Sequence, residues 1–142
     1  MTQAEISHSL VKALRAVPVF AGLGDRDLLH IVGASANLHY SAGSVVFEAG
    51  SPSEALYIVL SGRIEIFTLV NGRSRGVASI GPGDFFGEVS LLRDSAHSKS
   101  ARAVEDSELM VIPTESFREL LRVDRGLADR VAEKMAQRNA AQ

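Results

Sequence analysis

The chain has 142 residues, 46% of them apolar and 23% charged, the balance of one globular domain with a single buried core. Lysine and arginine number 15 against 17 aspartates and glutamates, and this net charge of −2 disfavours a protein whose affinity rests on phosphate backbones. With no cysteine, disulfides, thiolate zinc sites and a cysteine nucleophile are excluded; with no apolar run near ~18–20 residues and no signal-peptide pattern, the chain reads as soluble and cytoplasmic.

In chain order, Ile6, Leu10, Leu14 and Val17 recur at helical spacing until Pro18 stops the helix. Asp25 is a candidate N-cap for a second helix burying Leu28, Leu29 and Val32, so helices are predicted over about 4–34. From about Leu38 to Ile112 the period changes. Val45–Phe47, Leu56–Leu60, Arg63–Phe67, Val77–Ile80, Ala101–Val104 and Leu109–Ile112 are β-branched or alternating runs. Of 12 glycines, eight lie between Gly43 and Gly87 and separate these runs at the spacing of turns in a small barrel or sandwich. Asn71-Gly72 is the sharpest hairpin signal, because both central positions of a type I′ turn need φ > 0. After Pro113 the helical period returns. Thr114 is placed to cap a helix carrying Phe117, Leu120 and Leu121, and a final helix, to about residue 139, presents Leu127, Val131 and Met135 on one stripe. The predicted fold is α+β, mainly β: a jelly-roll-like β-roll of about eight strands over 38–112, with N-terminal helices and two C-terminal helices, in one domain spanning 1–142.

Residues 81–100 depart from the strand pattern and hold room for one helical turn beginning near Gly87. Backbone N–H groups at a helix start have no internal partners, and with glycine allowing close approach they form a cradle for a phosphate. An acid beside that cradle would repel the anion, which gives Glu88 another task, accepting hydrogen bonds from a sugar hydroxyl. A connecting loop with a capping glutamate fits the same residues. Phe85 and Phe86 are expected in the core, stapling this segment to the barrel.

Phe86-Gly87-Glu88-Val89-Ser90-Leu91-Leu92, followed at fixed spacing by His97-Ser98-Lys99-Ser100-Ala101-Arg102-Ala103-Val104, resembles the phosphate-binding cassette of the cyclic nucleotide-binding domain family. Val19–Leu23, Ala42–Gly50, Leu56–Gly62 and Gly81–Glu88 extend the resemblance over nearly the whole chain. It implies a non-enzymatic regulatory or sensor domain whose ligand is cAMP or cGMP, with no further cofactor. By the same resemblance the backbone at Gly87, Glu88, Val89 and Ser90 faces the cyclic phosphate and ribose. The Glu88 carboxylate holds the ribose 2′-hydroxyl, and Arg138 stands where family members cover the base. Occupancy would then draw the C-terminal helix toward the barrel and act on an effector domain, and the stripe of that helix could also support a homodimer.

This chain departs from the family at one point. Where the family places an arginine against the phosphate, in a Pro-Arg-Ser/Thr/Ala-Ala pattern, this chain has Ala96-His97-Ser98-Lys99. Histidine supplies one donor and is charged only below about pH 6.5. Ser98 can add a hydroxyl and Lys99 a point charge. Loss of the arginine would cost one to two decades of affinity or more, so a degenerate member of the fold that binds no cyclic nucleotide and acts through protein contacts is the alternative expectation.

Two other classes fit less well. A cupin-type metal enzyme would share the barrel, but no His-x-His pair exists, Gly87 stands where its second histidine is wanted, and His8, His30 and His39 are scattered. A DNA-binding regulator would append a helix-turn-helix beyond the last helix; the chain ends at Gln142, and no DNA contact is expected.

Overall fold

The computed structural model describes residues 3–20, 22–87 and 95–140. The N-terminal periodicity becomes helix α1 (Gln3–Arg15), a 3-10 turn (Pro18–Phe20) and helix α2 (Asp25–Ala34). Helix α1 buries Val11 and Leu14, and the turn buries Val19 and Phe20. Helix α2 buries Leu28 and Ile31, whereas Leu29, expected inside, is 49% exposed. At 100° per residue Ile31, not Leu29, shares the face of Leu28. Asp25 is not the N-cap. It is the first helical residue, Gly24 holds the cap position, and Asp25 and Asp27 place negative charge beside the free N–H groups of the first turn.

Eight strands follow: β1 (Ala36–Tyr40), β2 (Val45–Phe47), β3 (Ala55–Ser61), β4 (Ile64–Val70), β5 (Arg73–Ile80), β6 (Phe85–Phe86), β7 (Ser100–Ala103) and β8 (Ser107–Pro113). They form two antiparallel four-stranded sheets, ordered β1-β8-β3-β6 and β2-β7-β4-β5. The β4–β5 hairpin closes at Asn71 (φ 54°) and Gly72 (φ 77°), between the paired residues Val70 and Arg73. Three features escaped the periodicity. Strand β1 has four exposed residues and no apolar alternation, being an edge strand held only by β8. Strand β5 begins at the polar Arg73, because its first half is the solvated arm of a hairpin. Strand β6 is two residues long, too short to carry a pattern.

Strand alternation divides the interior. Leu56, Ile58, Phe85, Met110 and Ile112 point from the first sheet toward the helices and pack with Leu14, Phe20, Leu28, Ile31, Phe117 and Leu120. Val59, Phe86 and Leu109, on the opposite face, meet Ile64, Ile80, Ala101 and Ala103 of the second sheet inside the roll. The adjacent Phe85 and Phe86 therefore anchor two different cores.

Helices α3 (Thr114–Val123) and α4 (Leu127–Ala140) close the chain. Thr114 is the first residue of α3, after Pro113, and makes no side-chain cap; its hydroxyl is buried without a hydrogen-bond partner. On α4, Leu127 and Val131 are fully buried in the helix-side core, so this chain itself covers most of the stripe that a dimer would need.

Candidate functional site

The site is assembled where the β2–β3 connection meets the end of β6 and the stretch leading into β7. Gly50 takes φ 89°, which turns the chain after β2, and its N–H donates to the His97 carbonyl at 2.7 Å. The His97 N–H donates to the Ser51 carbonyl at 3.0 Å, and the Ala49 N–H to Ser100 Oγ at 2.9 Å. These three bonds fasten residues 97–100 to the β2–β3 connection.

Gly87 follows β6 with φ 90°. A Cβ there would lie 3.1 Å from Tyr57 Cδ2 and 3.2 Å from the Ala55 carbonyl oxygen. The backbone angle favours glycine, and the close approach to β3 would crowd any Cβ there. Tyr57 in turn stacks on Phe86, with centroids 5.0 Å apart, and Phe47 lies 5.5 Å from Tyr57 and 5.9 Å from Phe86. Burial, then the neighbouring Tyr40 and Glu54, push the Tyr57 hydroxyl up to about 12, so it stays protonated.

His97 joins this aromatic group. Its ring lies parallel to Phe47, at 5° and with centroids 3.6 Å apart, and the residue is 5% exposed. Burial holds its pKa below the usual histidine value of 6.5, because an imidazolium there would lose its hydration. At the position where the family places a permanently charged arginine, His97 is buried and its pKa is lowered, so burial disfavours its charged form.

Of the other expected site residues, Ser98 is exposed and Lys99 is half-buried, with no ion pair among the described residues. Glu88, Val89 and Ser90 lie outside the described residues. Arg138 belongs to α4, but its side chain lies outside what is described. The fold thus brings Gly87 and His97 to one aromatic cluster. Phe47 and Tyr57 went unnoticed in the sequence; the signal for Tyr57 was its position on the roll-facing side of β3. Also unnoticed was the ion pair of Lys134 on α4 with Asp84, at 3.7 Å, three residues before Gly87. Among the described residues no cluster of three histidine, aspartate or glutamate side chains could hold a metal, and no helix is long and apolar enough to cross a membrane.

Residues 37–124 match the family model described as the cyclic nucleotide-binding domain. The cyclic AMP receptor protein of Thermus thermophilus is 36% identical over 110 residues, 77% of this chain and 51% of that protein. A lysophospholipase of Aspergillus oryzae is 32% identical over 114 residues, 80% of this chain but 7% of the relative. The chain thus spans about half the length of one curated relative and a small part of the other. Among solved structures, the regulatory domain of Toxoplasma gondii protein kinase A with cAMP has a TM-score of 0.76 at 28% identity, covering 84% of this chain and 46% of that one. The sensor domain of the Pseudomonas aeruginosa transcriptional regulator DNR has a TM-score of 0.85 at 23% identity, covering 94% and 91%, a likeness of fold. Two-sheet roll, flanking helices and family match agree: the chain belongs to the cyclic nucleotide-binding domain family, whose members are regulatory and sensor domains.

Proposed function

We propose that this chain is a non-enzymatic, cytoplasmic sensor domain that takes a cyclic nucleotide, cAMP or cGMP, against the segment beginning at Gly87 and passes its occupancy to an effector through α4. The observation that carries this reading is Gly87 itself. Its left-handed backbone, pressed on the Ala55 carbonyl and the Tyr57 ring, is costly to keep in a plain connection and suits a turn that aims successive N–H groups at one anion. The phosphate is met by the backbone of Gly87, Glu88, Val89 and Ser90, by the Ser98 hydroxyl and by the Lys99 ammonium. Glu88 accepts from the ribose 2′-hydroxyl, and Arg138 covers the base. His97 supports this site by packing on Phe47 and contributes no charge.

Calorimetry on the full chain with 3′,5′-cAMP and 3′,5′-cGMP at pH 6 and pH 8 tests the reading. The expected result is micromolar binding that strengthens toward pH 6 less than an exposed histidine at the phosphate would make it, since burial lowers the pKa of His97. Absence of heat at millimolar ligand overturns it and leaves the second reading, a member of the fold acting through protein contacts alone. That second reading is favoured by one observation, the neutral, buried His97 at the family's arginine position.

A further inference from the structure

Helix α4 is attached to the rest of the molecule in two chemically different ways. Leu127 and Val131, one turn apart and fully buried, supply apolar contact. Such contact sets which face of the helix turns inward but, being non-directional, fixes its exact rotation and slide less sharply than a hydrogen bond does. Directional contacts come from Arg130, between those two residues. Its Nε donates to the Val19 carbonyl at 2.9 Å, in the 3-10 turn before α2, and its Nη2 pairs with the Asp124 carboxylate. Asp124 ends α3, where its N–H donates to the Leu120 carbonyl at 2.8 Å, while its Oδ1 accepts from the Gly126 N–H at 3.0 Å. One planar guanidinium therefore ties together the 3-10 turn, the end of α3 and the first turn of α4.

One glycine lies close against this guanidinium, and a second borders it at ordinary contact distance. A Cβ on Gly126 would stand 2.8 Å from Arg130 Nη1, and one on Gly22 would stand 3.5 Å from both Arg130 Nη2 and Asp124 Oδ2. Gly126 is not among the glycines with positive φ, so its backbone angle alone does not demand glycine. An alanine there has to displace the end of the Arg130 side chain from the position it holds against Asp124. One turn further along the same face, Lys134 reaches Asp84, whose Oδ1 accepts from the Phe85 N–H at 2.8 Å and whose carbonyl accepts from the Val59 N–H at 2.9 Å. The position that Arg130 gives α4 is thereby carried to the loop leading into Gly87.

We infer that Arg130 is the positioning residue of α4: its clasp on the Val19 carbonyl and Asp124 selects one docked orientation of the helix, and a side chain at Gly126 would push the guanidinium out of that clasp. The inference stands on the contacts of α4 itself and adds to the sensor reading the residue through which α4 is held, so it can fail while ligand binding succeeds, and the reverse.

The absence of cysteine gives a direct test on the full chain. Val131→Cys places a thiol at a fully buried position of α4, and Ala101→Cys places one at a fully buried position inside the roll. Labelling by a chromogenic disulfide reagent is timed in each, alone and combined with Arg130→Gln or Gly126→Ala. Both second changes should speed labelling at position 131 at least ten-fold and leave position 101 within two-fold. Unchanged rates at 131 overturn the inference, and so do rates that rise equally at both positions, which mean general loss of stability. Should the cysteine variants not fold, hydrogen exchange on Arg130→Gln decides: faster exchange confined to α4 supports the clasp, and exchange unchanged there, or raised equally in β3 and β8, refutes it.

Discussion

Lowering the pH from 7.5 to 5.5 should destabilise this fold through His97. The residue is 5% exposed, its ring lies flat on Phe47, and burial depresses its pKa. In the unfolded chain the imidazole titrates at about 6.5, so over this range the unfolded state binds more protons than the native one and stability must rise with pH. The contribution is complete above about pH 6.5 and is lost as pH falls toward the folded-state pKa. The loss is at most about 1.4 kcal/mol, the limit set by the proton uptake of the unfolded imidazole, or up to roughly 0.5–1 M in urea midpoint for a domain of this size. The assay is urea unfolding at both pH values for the natural chain and for His97→Phe, which keeps a ring on Phe47 but cannot titrate. The other histidines and the carboxylates are common to both proteins and cancel in the comparison. An equal pH dependence in the two proteins, or greater stability of the natural chain at pH 5.5, would refute a buried neutral histidine and restore His97 as a candidate charge for the ligand.

Three further outcomes follow from the geometry. Gly87→Ala forces a Cβ into the left-handed region and against the Tyr57 ring and the Ala55 carbonyl; it should cost about 1–3 kcal/mol in urea unfolding, and an unchanged midpoint would contradict the assigned turn. Leu127→Ala removes a fully buried side chain of α4 and should cost about 2–5 kcal/mol, read by thermal or urea unfolding; a loss under about 1 kcal/mol would mean that α4 is not docked in solution. Lys99→Gln should leave stability within about 0.5 kcal/mol but weaken cyclic nucleotide binding about ten-fold in calorimetry, and undiminished affinity would remove Lys99 from the phosphate site.

The elements legible in the chain are those whose cause is local. Runs such as Leu56–Leu60 declare a strand because both faces of that sheet are buried, one against the helices and one inside the roll. Asn71-Gly72 declares its hairpin, and Gly87 its special backbone, because few residues tolerate positive φ. The helical stripes of α2, α3 and α4 were visible for the same short-range reason, although single positions such as Leu29 and the caps at Asp25 and Thr114 fell one residue away from their expected roles.

What depended on distant partners was hidden. Strand β1 is a strand only because β8 pairs with it, and β6 only because β3 does. The meaning of His97 turned on Phe47, Gly50 and Ser51, which meet it only after the roll closes; a histidine that reads as a weak arginine substitute in sequence becomes a neutral core residue by desolvation. Arg130, unremarkable on a helix, gains its task when the Val19 carbonyl and Asp124 are brought to it. Composition, periodicity and turn chemistry thus determined the β-roll with flanking helices, because these express forces between near neighbours. The charge state of His97 and the anchoring of α4 were decided by tertiary structure alone, because burial and long-range hydrogen bonds exist only once the chain has folded.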